Sequence, residues 1–225
     1  MIEAVIFGLE GVLVSTDEYH FQAWKQMTRE QGIGYDRAMH EKIRWLSRQE
    51  SLNIILRGAK RRYTEAEKFA LAARKNDLYT AAVNRMDENS ILPGVLPFIA
   101  YLREHGVKTA VASSSENATG ILRHLNMRSL FDAVADGNSI ERIKPAPDVF
   151  LLAADKLRLP PASCLAVEET PVGAQAARAA GMRLLALGTA ARQYDADYAA
   201  PDLSDFRRIE QSLRPALLNK EDSYA

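Results

Sequence analysis

The sequence predicts an α/β protein: a doubly wound, mostly parallel sheet, interrupted near its start by an all-helical insert. Three observations carry this prediction. Ala4-Val5-Ile6-Phe7 is a short apolar run ending in a glycine-containing turn, the pattern of a strand buried on both faces. From about residue 91 onward, short apolar runs alternate with segments of helical spacing. Residues 15–90 carry helical patterns and no strand pattern. The expected organisation is therefore one α/β domain made of residues 1–14 and 91–225, and one helical domain of residues 15–90.

The elements follow in order. Thr16 begins a helix through Trp24, with Asp17 and Glu18 in its first turn. Ser47 caps a helix holding Ser51 to Leu56, and Thr64-Glu65-Ala66-Glu67 is a capping-box sequence. Helical patterns run to about Met86, and Pro93-Gly94 punctuates the return. Val107–Ala112 reads as a strand, Asn117–Leu125 as a helix and Phe131–Ala135 as a short strand. Pro147–Leu157 reads as a helix, Cys164–Val167 as a strand, Val172–Ala180 as a helix and Arg183–Leu187 as a strand. From Asn219 onward the chain is polar and expected to fray.

Composition narrows the function classes. The chain has 225 residues, 47% hydrophobic and 26% charged, with zero formal net charge. It is long enough for a real core, and the charge balance argues against nucleic acid as a partner. Residues 15–90 are mildly basic, which is compatible with an anionic ligand. No apolar stretch of transmembrane length and no signal-peptide pattern occurs, so a cytoplasmic protein with no membrane partner is expected. The single cysteine, Cys164, sits in an apolar strand pattern and reads as an inert core thiol.

Ligands of open α/β sheets bind where strands end and loops begin, and four such loops carry chemistry. Gly8-Leu9-Glu10-Gly11 follows the first strand. Ser113-Ser114-Ser115-Glu116-Asn117 follows the second and offers hydroxyls and backbone N–H groups to an anion. Lys144 lies in Lys144-Pro145-Ala146-Pro147-Asp148, where two prolines restrict it. Glu168-Glu169 leaves the Cys164 strand, and adjacent acids there suit a hard cation such as Mg²⁺. Taken singly, these are a turn, a helix cap, a surface lysine and an acidic helix N-terminus.

Their order and spacing resemble the four motifs of the haloacid dehalogenase (HAD) superfamily. The helical insert resembles that family's cap domain. The likeness extends to the β-phosphoglucomutase group through Glu18-Tyr19-His20-Phe21-Gln22-Ala23-Trp24, Ser47-Arg48-Gln49-Glu50-Ser51-Leu52, Arg74-Lys75-Asn76-Asp77 and Lys144-Pro145-Ala146-Pro147-Asp148. The resemblance implies interconversion of β-glucose 1-phosphate and glucose 6-phosphate, through a bisphosphate and an aspartyl phosphate. It implies that Ser113 and Lys144 hold the transferring phosphoryl group, with Ser115 and Asn117 helping at the distal phosphate. Arg48 would grip the other phosphate, and His20 and Lys75 would line the cap side near the sugar. It assigns Mg²⁺ to the first aspartate, the Glu10 backbone carbonyl, Glu168 and Glu169.

The chain departs from that pattern where the chemistry is centred. The family's first loop carries an aspartate nucleophile and a second aspartate as acid/base. Here those positions are Gly8 and Glu10. A glycine cannot attack phosphorus, and it removes a metal ligand. Glu10 keeps a carboxyl, but its extra methylene moves the group by about 1 Å, a shift that can lower rates on the order of a hundredfold. Gly8 is also expected to leave open volume, room for an inorganic phosphate. The expected function is a β-phosphoglucomutase-like sugar-phosphate pocket, catalytically impaired or inactive, in a monomer that binds Mg²⁺ weakly or not at all. Two alternatives stand beside it: an active Mg²⁺-dependent hexose-phosphate mutase or phosphatase with a changed first motif, and a non-enzymatic interaction protein with an idle pocket.

Overall fold

A computed structural model describes residues 1–44, 46–188 and 194–217. The expectation for the chain from Asn219 lies outside these residues. After β1 (Ala4–Phe7) the chain forms four helices: α1 (Asp17–Glu30), α2 (Arg37–Ile43), α3 (Arg48–Leu56) and α4 (Glu65–Val83). It continues as α5 (Val95–Glu104), β2 (Lys108–Ala112), α6 (Ala118–His124), β3 (Ala133–Ala135), α7 (Asp148–Leu157), β4 (Cys164–Glu168), α8 (Pro171–Ala179), β5 (Arg183–Leu187), β6 (Tyr198–Ala200) and α9 (Phe206–Leu217). Contacts divide it into two compact units, Met1–Ser15 with the chain from Asp87 onward, and Thr16–Met86.

In the first unit six strands form one sheet in the order β3-β2-β1-β4-β5-β6, every neighbouring pair parallel. The α/β class and the doubly wound topology are as the sequence predicts. The chain winds outward from β1 through β2 to β3, then crosses back to β4 on the other side of β1. The end of β1 is thus the topological switch point, where open α/β sheets bind ligands. All four β1 residues are buried, which explains their uninterrupted apolar run.

Side chains alternate across the sheet. Ala4, Ile6, Ala110, Ala112 and Ala166 pack in one cluster with Val149, Phe150 and Ala153 of α7 and with Ala174 and Ala177 of α8. On the opposite face Phe7 meets Phe98 of α5 edge-on, with ring centroids 5.9 Å apart. Full burial of one such phenyl ring contributes about 1.5–3 kcal/mol. Small residues on the first face let α7 and α8 approach closely, which matters for the site below. Where the chain leaves and returns, Ser15 N–H donates to Ser90 O at 3.0 Å and Leu92 N–H to Leu13 O at 3.0 Å.

Among its described residues the second unit contains helices joined by turns and loops, and no strand. Capping boxes form at Ser47/Glu50 and Thr64/Glu67, satisfying backbone donors that a helix start leaves unpaired. Thr16 precedes α1, but its side chain makes no capping bond. Trp24, Met27, Ile43, Leu52, Ile55 and Leu71 build the unit's own core.

Two elements were not anticipated from sequence: β6 and α9. Tyr198–Ala200 is a three-residue edge strand that is not fully buried, so its apolar signal is weak. The α9 helix does carry a legible signal, since Ile209, Leu213 and Leu217 are its buried residues at four-residue spacing. Pro215 near its end masks the pattern. Among the described residues, no helix is long and apolar enough to cross a membrane.

Candidate active site

Three adjacent parallel strands end at one level. Phe7 is in register with Val111 of β2 and Val167 of β4. The next residues, Gly8, Ala112 and Glu168, therefore stand side by side, and Gly8 N–H donates to Val167 O at 2.9 Å. Gly8 and Glu168 continue the sheet face packed by α7 and α8. The loops beyond them hold Glu10, Ser113 and Glu169.

The expectation of open volume at Gly8 is not met. A Cβ added there would lie 3.0 Å from Glu168 Oε1 and 3.2 Å from its Cδ. The Glu168 carboxylate already occupies the space into which a side chain at position 8 would grow. The cause is the register just described, together with Gly173 at the start of α8. A Cβ on Gly173 would fall 2.1 Å from Glu168 Oε2, so only a glycine admits the carboxylate there. Glu168 is thus seated between two glycines, 2% exposed.

Its charge is met by Lys144. The Lys144 ammonium donates to Glu168 Oε1 and to Ala112 O at 3.0 Å, and lies 4.8 Å from the centroid of the Phe150 ring. Thr170, the N-cap of α8, donates its hydroxyl to Glu168 Oε2 at 3.4 Å while accepting from Gly173 N–H at 3.0 Å. A buried carboxylate needs such a partner, because removing either member strands the other charge away from water. Lys144 N–H also donates to Ser114 Oγ at 3.2 Å, which ties the lysine loop to the serine loop.

Glu10 turns toward the serine loop. The buried Ser113 hydroxyl donates to Glu10 Oε2 at 3.1 Å. Burial pushes the Glu10 carboxyl above its ordinary value, opposed by hydrogen bonds from the backbone and Ser113 and by the Lys144 charge. The loop's own donors are partly used internally: Ser115 N–H donates to Ser113 Oγ at 3.1 Å, and Asn117 N–H to Ser115 Oγ at 3.3 Å. Glu169 reaches back to the first loop. A Cβ on Gly11 would fall 1.6 Å from Glu169 Oε2, and Gly11 adopts φ +77°. Glycine is required there on both counts.

The helical unit holds the remaining expected residues. His20 on α1 and Lys75 on α4 meet at 2.8 Å, Lys75 Nζ to His20 Nδ1. An ammonium can only donate, so we assign His20 as the neutral tautomer with its proton on Nε2. Burial first, then the charges of Lys75, His40 and Arg48, hold the His20 pKa well below its ordinary value. The imidazole stacks on Tyr79 at 4.0 Å, and the Lys75 ammonium lies 5.1 Å from the Trp24 ring centroid. Arg48 is the first residue of α3, directly after the Ser47 cap. A groove of about 550 Å³ between α1 and α4, lined in part by Lys25, Arg29 and Arg85, contains none of these residues.

Comparison with known proteins decides the family. A family model described as haloacid dehalogenase-like hydrolase matches residues 2–181. The chain is 39% identical over 206 residues to a β-phosphoglucomutase of Bacillus subtilis, covering 91% of each protein. This chain belongs to the haloacid dehalogenase superfamily, within its β-phosphoglucomutase-like group. A fructose-1-phosphate phosphatase of Escherichia coli is 33% identical over 186 residues, covering 79% of this chain and 92% of that one. The crystal structure of a β-phosphoglucomutase from Clostridium difficile superposes with a TM-score of 0.85 at 31% identity, over 96% of this chain and 99% of the other.

For this HAD chain, the residues present do not fit a resident Mg²⁺. Position 8 has no side chain, and one Glu168 oxygen is engaged by an ammonium. What remains is the Glu10 carbonyl and Glu169. Among the described residues, no group of three or more His, Cys, Asp or Glu could hold a metal ion. The sequence reading missed the seating of Glu168 between Gly8 and Gly173; its one legible trace is the glycine in Thr170-Pro171-Val172-Gly173.

Proposed function

We propose that this chain is a sugar-phosphate-binding member of the β-phosphoglucomutase-like group that cannot run the family's aspartyl-phosphate route. The carrying observation is Gly8 at the end of β1, at the switch point of the sheet, with the Glu168 carboxylate against it. By resemblance this is the nucleophile position, and a glycine offers no atom to phosphorylate.

The rest of the constellation supports binding. Ser113 directly follows β2, and the Lys144 ammonium bonds Ala112 O at the end of that strand, so together they supply a cation and a hydroxyl donor. For a phosphoryl group to reach Ser113, the Glu10 carboxyl must swing away, so modest affinity is expected. In the helical unit, the resemblance to a cap assigns the sugar and the second phosphate to His20, Lys75 and Arg48, and the neutral His20 offers Nε2–H as a donor. Ser115 and Asn117 stay assigned to the distal phosphate. The relatives' names, a phosphoglucomutase and a fructose-1-phosphate phosphatase, point to a phosphorylated hexose as the ligand class.

The test compares the native chain with its Gly8→Asp, Glu10→Asp double variant. After incubation with acetyl phosphate, the native chain is expected to show no phospho-adduct by mass spectrometry and no turnover of β-glucose 1-phosphate. The double variant is expected to gain Mg²⁺-dependent turnover. Mutase or phosphatase turnover by the native chain at the level of an active relative would overturn the proposal.

A further inference from the structure

The departure at position 8 reaches beyond the nucleophile. A divalent cation at this strand end would be held by side chains of the first and fourth loops. The first loop offers none at position 8, because Gly8 has only a backbone. The fourth loop offers Glu168, but its carboxylate lies against the space beside Gly8 and is closed behind by Gly173. There it carries the Lys144 ammonium on Oε1, with side chains 12% and 3% exposed for Lys144 and Glu168. Thr170 holds the other oxygen. To bind a cation, Glu168 would have to release Lys144, and each charge would lose a buried partner.

We infer that the Lys144 ammonium, not a divalent cation, is the resident counter-charge of this site. The ammonium supplies one positive charge to the Glu168 carboxylate where a divalent cation would supply two. Lys144 has three N–H donors, and two go to Ala112 O and Glu168. The third is left for an incoming phosphoryl oxygen. Phosphate binding, where the function proposed above holds, therefore needs no metal. An aspartate at position 8 would repel both Glu168 and an anion, a repulsion that a metal offsets. With glycine there, that demand is gone.

The experiment uses the full chain and Mn²⁺ as the probe. Free Mn²⁺ is followed by electron paramagnetic resonance during titration. The native chain is expected to show no saturable site tighter than about 1 mM, since the Glu169 carboxylate and a backbone carbonyl make a poor site for a hard cation. The Gly8→Asp variant, which returns a first-loop carboxylate and competes with Glu168 for space, is expected to bind Mn²⁺ at least about tenfold more tightly. Stoichiometric binding by the native chain at tens of micromolar would overturn the inference. So would a Gly8→Asp variant that folds and binds no better. Separately, melting curves are recorded with inorganic phosphate and with glucose 6-phosphate, in EDTA and in Mg²⁺. Equal stabilisation in both media supports the inference, and stabilisation lost on chelation refutes it. Absence of stabilisation in both media, with no Mn²⁺ site, leaves the cation-free wiring standing and removes the functional reading instead.

Discussion

Replacing Gly8 by aspartate puts a second carboxylate beside Glu168 in a site built for one. The new Cβ would stand 3.0 Å from Glu168 Oε1, so the glutamate must give way. Retreat toward α8 is closed, because Oε2 already occupies the space that a Cβ on Gly173 would fill. The two charges would sit about 4 Å apart, which at an effective dielectric of about 20 is a repulsion of about 4 kcal/mol. Lys144 lies against Glu168 and offsets part of it. We expect the single Gly8→Asp variant to lose about 2–3 kcal/mol of stability in EDTA. For a chain of this size that is a fall in Tm of about 4–12 °C. Millimolar Mg²⁺ should restore part of the loss, because a cation between the carboxylates binds only the folded state. The sign with pH follows from linkage. Crowding raises the folded-state pKa of one carboxyl, so the variant's deficit is small at low pH and grows as pH rises through that raised value. The assay is a melting series at pH 5 and 7.5, with EDTA or Mg²⁺ at matched ionic strength. A variant that melts at or above the native Tm in EDTA at pH 7.5 would refute the seating of Glu168 described here.

Three further outcomes follow from the same geometry. Gly173→Ala forces a methyl to 2.1 Å from Glu168 Oε2, so it should destabilise by about 1–3 kcal/mol, read by urea denaturation. His20, with its pKa held well below its ordinary value, should stay neutral at pH 6 by NMR. The unfolded chain takes up a proton at about 6.5, so stability should fall as pH drops below that value, and His20→Gln should flatten that slope. Cys164, buried on β4 with its thiol pushed up to about 11, should resist iodoacetamide at pH 8 until the chain is unfolded.

Much of the fold was legible because it is written locally. Apolar runs of strand length mark β1, β2, β4 and β5 almost to the residue, since both faces of a parallel sheet are covered. Ser47 and Thr64 carry their own capping partners three residues away, so these helix starts need no tertiary information. The candidate site was legible as four loops in order. It was less legible as chemistry, because the Ser115 and Asn117 N–H groups expected to face an anion turn instead to Ser113 and Ser115 hydroxyls of the same loop. The short edge strand β6 carries too few apolar side chains to announce itself.

By itself, the sequence determined the doubly wound class, the helical insert, the position of each chemically charged loop and the absence of any side chain at Gly8. These are properties of residue type and spacing along the chain. Only the tertiary structure decided what became of the space at Gly8. The register of β1 against β4 places Gly8 level with Glu168, and the packing of α8 places Gly173 behind it. Lys144, 24 residues before Glu168 in sequence, then arrives from another loop to neutralise it. Strand register and the meeting of distant loops depend on the whole sheet closing at once, and no window of the sequence contains them.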